Sequence, residues 1–447
     1  MNQNSAIKET NSISNSKFAS TPPLGWNSFD SYGVYLHEKA ALENLEVFAE
    51  KLKPSGFEYF VIDSGWFGEF KLFEDTIYPK EKHAADVRLN ENGLFLPSQT
   101  YFPNGLEPII KRCHQLDLKF GIHLMRGIPR KAVHEKLLIE GTNISADKIA
   151  ITEESMNCKW CDYCYCVDHT KEGAQEWYNS LIGHLSRMGV DLIKYDDIVP
   201  YPDEIELVVN GIKNSGRELL LSLSPGGKVN PEHVSTFQKS NMLRVTPDIW
   251  DDQEGIDQCF TSWKKWQNCS VPGFWIDMDM IPFGQLQLMC PQELNTSDEA
   301  HALFSGRGFN RNSQFTKEQM LTFITMRGLS ASPLMVGGDL PTMDEFSYSL
   351  ITNKEILECN QNGVMGTLLS EKNEVEIWKA PRNNDLTSGW LGIFNRSNKD
   401  IFYKLNLSEM DIDENSKMED IWNTKSLKID HEYTIEANSV LFIKYYK

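Results

Sequence analysis

The stretch VDLIKYDDI, residues 190–198, is a short apolar run ending on two acids. A run of this length, preceded by Gly189, reads as a buried strand of a parallel sheet. Immediately downstream, Ile205, Val208, Val209 and Ile212 recur at i, i+3, i+4 and i+7, which paints one apolar stripe on a helix. Gly216 stands where that helix should stop, and LLLSLSP, from Leu219, begins the next strand. Strand, helix, strand is the unit that builds parallel sheets.

The unit repeats outward in both directions. Upstream lie LGWNSF (from Leu24), FEYFVIDSGW (from Phe57) and LKFGIHLM (from Leu118). Downstream lie MLRVTPD (from Met242), GFWIDMDM (from Gly273) and SPLMVGGDL (from Ser332), with a second helical stripe at Ile256, Phe260 and Trp263. Eight strands is the closure number of an α/β (β/α)8 TIM barrel. The connection from Met125 to the helix near Lys171 is unusually long, as loops that shape active sites often are. Beyond about Asn360 the period changes to two: VEIWKA, WLGIFNRS, IFYKLNL and SVLFIKYY point to a C-terminal antiparallel β-sandwich. The expected organisation is a polar tail over 1–20, the barrel over 21–355 and the sandwich over 356–447.

Length and composition agree with a barrel plus an accessory domain: 447 residues, 40% hydrophobic and 24% charged. The 11 tryptophans serve mostly as core, although flat rings also make platforms for the apolar faces of sugars. A net charge of −19 argues against nucleic acid and against an anionic membrane surface as partners, and is compatible with a small neutral carbohydrate. The opening MNQNSAIKETNSISNSKFAS has no apolar core of a secretory signal, and no stretch has the length of a membrane span. Nine cysteines without framework spacing favour a reducing compartment, so the expected location is cytoplasmic. Oligomeric state is not legible, a homo-oligomer being left open.

Barrel enzymes place their chemistry at the C-terminal ends of the strands. Those ends carry Asp63, Asp196, Asp197, Asp248, Asp277 and Asp279. Strand residues two apart share a face, so Lys194 sits beside Asp196, where its charge would keep a carboxylate ionised. Arg244, Thr246 and Asp248 share a face likewise, provided Pro247 does not interrupt the pleat. Two carboxyl groups flanking a glycosidic bond suit its hydrolysis: one attacks or activates water, the other protonates the leaving oxygen. Spacing alone leaves a second reading open, in which Lys194–Asp196 and Arg244–Asp248 are structural ion pairs.

Other signals carry less. Cys158, Cys161, Cys164 and Cys166 form C-x₂-C-x₂-C-x-C, which matches no standard zinc or iron–sulfur arrangement and reads as reduced or packed thiols. His123 and Arg126 end the third strand and read as hydrogen-bonded structural residues. The runs GRGF and NRNSQFTKEQ are expected to bring a loop arginine near the site. Phosphate-loop, serine-elbow and zincin motifs are absent, and neither metal nor cofactor is expected.

In order along the chain, TPPLGWNSFDSYG, VIDSGW, DLIKYDD, LRVTPDIWD, WIDMDM, SPLMVGGDL and NKEILECNQN closely resemble glycoside hydrolase family 27, the α-galactosidases and α-N-acetylgalactosaminidases. The resemblance spans Thr21 to about Asn362, and the final sandwich matches the family's second domain. It implies a retaining double displacement, with Asp196 as nucleophile and Asp248 as acid and then base. Retention goes with carboxyls roughly 5–5.5 Å apart, and the acid's pKa should exceed the nucleophile's. It also implies sugar contacts from Trp26, Asp63, Lys194 and Arg244, with Asp277 and Asp279 supporting them from behind. Two departures bear on the sugar. Ser64 replaces the second of two adjacent acids, a weaker partner for a hydroxyl. The run SLSPGG replaces a region that carries a glutamate in α-galactosidases; its candidates for substrate binding are Ser222 and Ser224, with Gly227 leaving room as in the N-acetyl enzymes. The resemblance thus implies α-galactosidase first, then α-N-acetylgalactosaminidase, then β-L-arabinopyranosidase. A carbohydrate-binding barrel without turnover is the rival from another class.

Overall fold

A computed structural model describes residues 18–69, 87–159, 161, 163–225, 229–288, 310–429 and 431–447. The expected barrel strands appear as β1 (Leu24–Asn27), β2 (Tyr59–Ile62), β3 (Lys119–Met125), β4 (Leu192–Asp196), β5 (Leu220–Leu223), β6 (Met242–Arg244), β7 and β8 (Leu334–Val336). β7 is broken into Trp275–Asp277, which pairs with β6, and Met280–Ile281, which pairs with β8. Each strand pairs in parallel with the next, and β8 pairs with β1. The two outer pieces of the sheet are therefore consecutive pieces of one strand, and the sheet closes on itself as a TIM barrel.

Alternation along the strands sorts the side chains. Tyr59, Val61, Leu192, Leu220, Met242, Met280 and Met335 fill the barrel interior, with Phe18 and Ala19 packed against them. Two residues further along β4 this inward face turns polar, at Lys194 and Asp196. Outward-facing Ile193, Tyr195, Ile205, Val208, Ile256, Phe260 and Trp263 belong to the core between strands and helices. Gly189 and Gly216 end their helices at φ 96° and 72°, the left-handed caps anticipated for them. The long connection after β3 folds as a small antiparallel sheet of Ile128–Pro129, Ala150–Ile151 and Cys164–Val167.

The expected boundary at 355/356 falls within the helix Lys354–Gln361, and the antiparallel strands begin at Thr367. Six strands form one sheet, and a two-stranded ribbon of Ile401–Lys404 and Glu432–Ile435 forms a second. The sheet's other face joins the barrel. Trp378 stacks on Trp263 of the helix Gln253–Trp266, with ring centroids 3.6 Å apart, and Trp263 Nε1 donates to Gly366 O. Both indoles are fully buried, so sandwich and barrel share one core. Among the described residues no helix is long and apolar enough to cross a membrane.

Candidate active site

The strand-end acids and bases converge at the barrel mouth. Asn27, Lys194, Ser222, Arg244, Asp277 and Asp279 line a narrow cavity whose remaining wall is the apolar filling, Val61, Leu192, Met242, Met280 and Met335. β4 ends at Asp196, whose Oδ2 lies 3.3 Å from His123 Nε2 on β3, while its Oδ1 is buried without a hydrogen-bond partner among the described residues. Burial alone would raise this carboxyl. The His123 bond and the charges of Lys194 and Arg244 outweigh burial and hold it well below the ordinary carboxylate range.

Lys194 does not pair directly with its strand neighbour. Its Nζ donates to Asp63 Oδ2 at 2.7 Å, and the same oxygen accepts from Asn27 Nδ2 at 2.7 Å. Asp63 Oδ1 accepts the Ser64 N–H at 2.8 Å. Burial opposes ionisation of Asp63, but Lys194 and His123 overcome it and lower its pKa. The ring of Phe29 lies 5.8 Å from the Lys194 ammonium and is partly exposed.

β6 stops at Arg244, so Asp248 reaches the mouth from the following loop rather than from the pleat. Arg244 Nη1 lies 2.9 Å from Asp248 Oδ1 and 3.2 Å from Asp279 Oδ1; its Nε is buried without a partner among the described residues. The Asp248 side chain is 54% exposed at its surface, yet the protein crowded around it desolvates the carboxyl. That enclosure raises its pKa above the ordinary value, with Asp279 and Asp196 adding to it and Arg244 opposing. Asp279 sits at φ 71° at the break in β7 and caps Ile249 N at 2.8 Å, so the broken strand fixes both Arg244 and the Asp248 loop. Asp277 accepts the Asp279 N–H at 2.9 Å, and burial pushes its carboxyl up to about 6. Shifts in opposite directions, Asp196 down and Asp248 up, are the sense that acid-assisted nucleophilic displacement at an acetal carbon requires.

One expected contact is overturned. Trp26 is fully buried, stacks on Phe60 at 4.7 Å and donates Nε1 to Gly338 O at 2.8 Å. It faces the helix layer and offers no surface to a sugar. Ser222 lines the cavity; Ser224 is buried, with its N–H donated to Tyr195 O; Ser64 is half-buried. Gly227 and the GRGF run lie outside the described residues. The arginine of the second run, Arg311, grips buried Asp251 through Nε at 3.1 Å and Nη2 at 2.5 Å, three residues beyond Asp248.

Sequence reasoning passed over Asn27, Phe29 and Asp30, and set His123 aside. Asp30 is buried with Oδ2 unpartnered among the described residues, against Gly337, where an added Cβ would stand 2.1 Å from that oxygen. Its position directly after a strand end, in LGWNSFD, was the signal available for it.

Comparison with known proteins bears on this geometry. No family model matches the chain. Curated α-galactosidases from Cyamopsis tetragonoloba and Schizosaccharomyces pombe are similar at 22% identity over 430 residues and 23% over 446, covering 94% and 90% of this chain and 84% and 83% of theirs. A solved family 27 β-L-arabinopyranosidase from Geobacillus stearothermophilus, in complex with arabinose, is 32% identical with a TM-score of 0.87, covering 98% of this chain and 99% of that protein. A candidate α-N-acetylgalactosaminidase from Bacillus halodurans is 31% identical with a TM-score of 0.81, covering 96% and 98%. A closed barrel with its acids at the mouth and a sandwich behind it is, in this company, a glycoside hydrolase. The chain belongs to glycoside hydrolase family 27.

Proposed function

We propose that the chain is a retaining exo-acting glycosidase of galactose-configured pyranosides, with Asp196 as nucleophile and Asp248 as acid and base. The observation carrying this reading is the placement of the two carboxyls around Arg244, where their surroundings push the pKa of Asp196 down and that of Asp248 up. Asp196 attacks the anomeric carbon as the aglycone oxygen departs with the proton of Asp248. Asp248, now ionised, takes a proton from water, whose oxygen attacks the same carbon and releases Asp196. Lys194, Asp63 and Arg244 hold ring hydroxyls, and Phe29, not Trp26, supplies the apolar contact. Ser222 and Ser224 are assigned to the substrate side of β5, and Ser64 to the edge beside Asp63.

Among these sugars, β-L-arabinopyranosides lead. The support is similarity across nearly the whole of a β-L-arabinopyranosidase, together with Ser64 in place of an acid. L-Arabinopyranose keeps the ring stereochemistry of galactose and lacks only C6, so a site with one acid fewer loses less with it. α-D-Galactosides are the second reading, favoured by the curated α-galactosidases. The test is the rate on aryl β-L-arabinopyranoside, α-D-galactoside and α-N-acetylgalactosaminide side by side, with the first product anomer read by NMR. Inversion would sink the mechanism; a preference for galactoside would promote the second reading.

A further inference from the structure

We propose that Arg126, braced by Glu204, is a positioning residue that sets the orientation of the Asp196 carboxylate, an inference resting on the reading of Asp196 as nucleophile. Arg126 directly follows β3, and its own N–H donates to Asp196 O at 3.0 Å, extending the β3–β4 ladder to that residue. Its side chain then turns along β4. Nε donates to Asp197 O and to Asp197 Oδ2, both at 3.0 Å, and Nη2 donates to Met156 O at 2.9 Å. Nη1 donates to Glu204 Oε1 at 2.9 Å, and the Tyr201 ring covers the guanidinium at 3.5 Å. One residue thereby holds both carbonyls, that of Asp196 through its backbone N–H and that of Asp197 through its side chain.

The need for such a hold lies in the backbone. Asp197 sits at φ 61°, a left-handed conformation that non-glycine residues adopt uncommonly. Left to itself, the residue would relax by rotating the peptide it shares with Asp196, and the nucleophile's side chain would swing with that peptide. Arg126 pins both ends of the rotation. Glu204, in the first turn of the helix Pro202–Ser215, fixes Arg126 from the far side. Its Oε1 also accepts from Cys166 Sγ at 3.2 Å and its Oε2 from Tyr178 OH at 2.5 Å. Arg126, Asp197 and Glu204 are all buried, and the bonds of Arg126 run to the backbone of Asp196 and Asp197, so its effect is exerted through Asp196. A displacement of about 1 Å at a reacting atom costs up to roughly a hundredfold in rate.

The test pairs Arg126→Lys and Glu204→Gln with Asp196→Gly. On a dinitrophenyl glycoside, Arg126→Lys should lower kcat/KM by roughly 10- to 100-fold, and Glu204→Gln by less, while the inhibition constant of the free sugar stays within about twofold. Asp196→Gly should be inactive and rescued by azide, and adding Arg126→Lys to it should leave the azide rate unchanged, because there is no carboxylate left to position. A kcat/KM within about twofold of wild type, a parallel loss of sugar affinity, or an Arg126→Lys loss that persists in the azide reaction overturns the proposal. If Arg126→Lys does not fold, Glu204→Gln carries the same comparison. Wild-type turnover by Asp196→Gly would instead remove the nucleophile reading, and this proposal with it.

Discussion

The ammonium of Lys194 sits 2.7 Å from Asp63 Oδ2, two strands over, although Asp196 shares its own strand and inward face. Asp196 therefore receives Lys194 as a nearby charge, and its Oδ1 has no partner among the described residues. Replacing Lys194 with Met should destabilise the fold by about 3–5 kcal/mol, because it leaves Asp63 buried and uncompensated. Asp63→Asn in the same chain should recover most of that loss, as read by denaturant unfolding. The sign with pH follows from Asp63. Its folded pKa is depressed, so its contribution is full above the unfolded value of about 3.9 and is lost as pH falls through the folded one. Lys194→Met should therefore flatten the acid side of the stability curve.

Activity should follow a bell in pH with its limbs on different residues. Asp196 lies below the ordinary carboxylate range and sets the acid limb, where kcat/KM falls as it takes a proton. Asp248 lies above its ordinary value and sets the basic limb, where kcat/KM falls as its proton is lost. Asp248→Ala should abolish the basic limb on a dinitrophenyl glycoside, whose leaving group needs no proton. A burst of dinitrophenol should appear, since the second step then lacks its base. Persistence of the basic limb in this variant would count against Asp248.

Trp26 and Phe29 should separate stability from binding. Trp26→Ala should cost about 3–5 kcal/mol in unfolding free energy and leave KM of the surviving folded enzyme near wild type, since the indole packs on Phe60 away from the mouth. Phe29→Ala should raise KM with little change in stability, because its ring is already partly exposed beside Lys194. The measurements are chemical denaturation and steady-state kinetics on the same two variants.

That pair also marks where the sequence stops being readable. Strand positions followed from the alternation of apolar runs and helical stripes, because burial on both faces leaves a continuous pattern. Side-chain direction in a four-residue strand does not follow so simply. The register pairs Trp26 with Phe60, and both face the helices, which a motif match at Trp26 could not reveal. Likewise Lys194–Asp63 is a contact across 131 positions of chain, invisible to spacing, whereas Arg244–Asp248 is four residues apart and was legible. The break in β7 and the left-handed Asp279 were hidden too, since WIDMDM reads as one unbroken strand.

Ser64 offers the sharpest test of which sugar the site prefers. Its N–H is committed to Asp63 Oδ1, so only its hydroxyl is left to meet a substrate. A hydroxyl bonds a sugar hydroxyl more weakly than a carboxylate does, and the difference should be felt most by a hexose whose C6 group needs a partner at this edge. Ser64→Asp should therefore raise the ratio of kcat/KM for aryl α-D-galactoside over β-L-arabinopyranoside by roughly tenfold, equivalent to about 1.4 kcal/mol. The new acid would stand beside Asp63, whose charge opposes its ionisation, while Lys194 two strands over favours it. The gain should accordingly grow with pH as the introduced carboxyl ionises. A ratio that is unchanged at every pH would place the C6 edge of the pocket elsewhere and return the choice of sugar to Ser222 and Ser224 on β5.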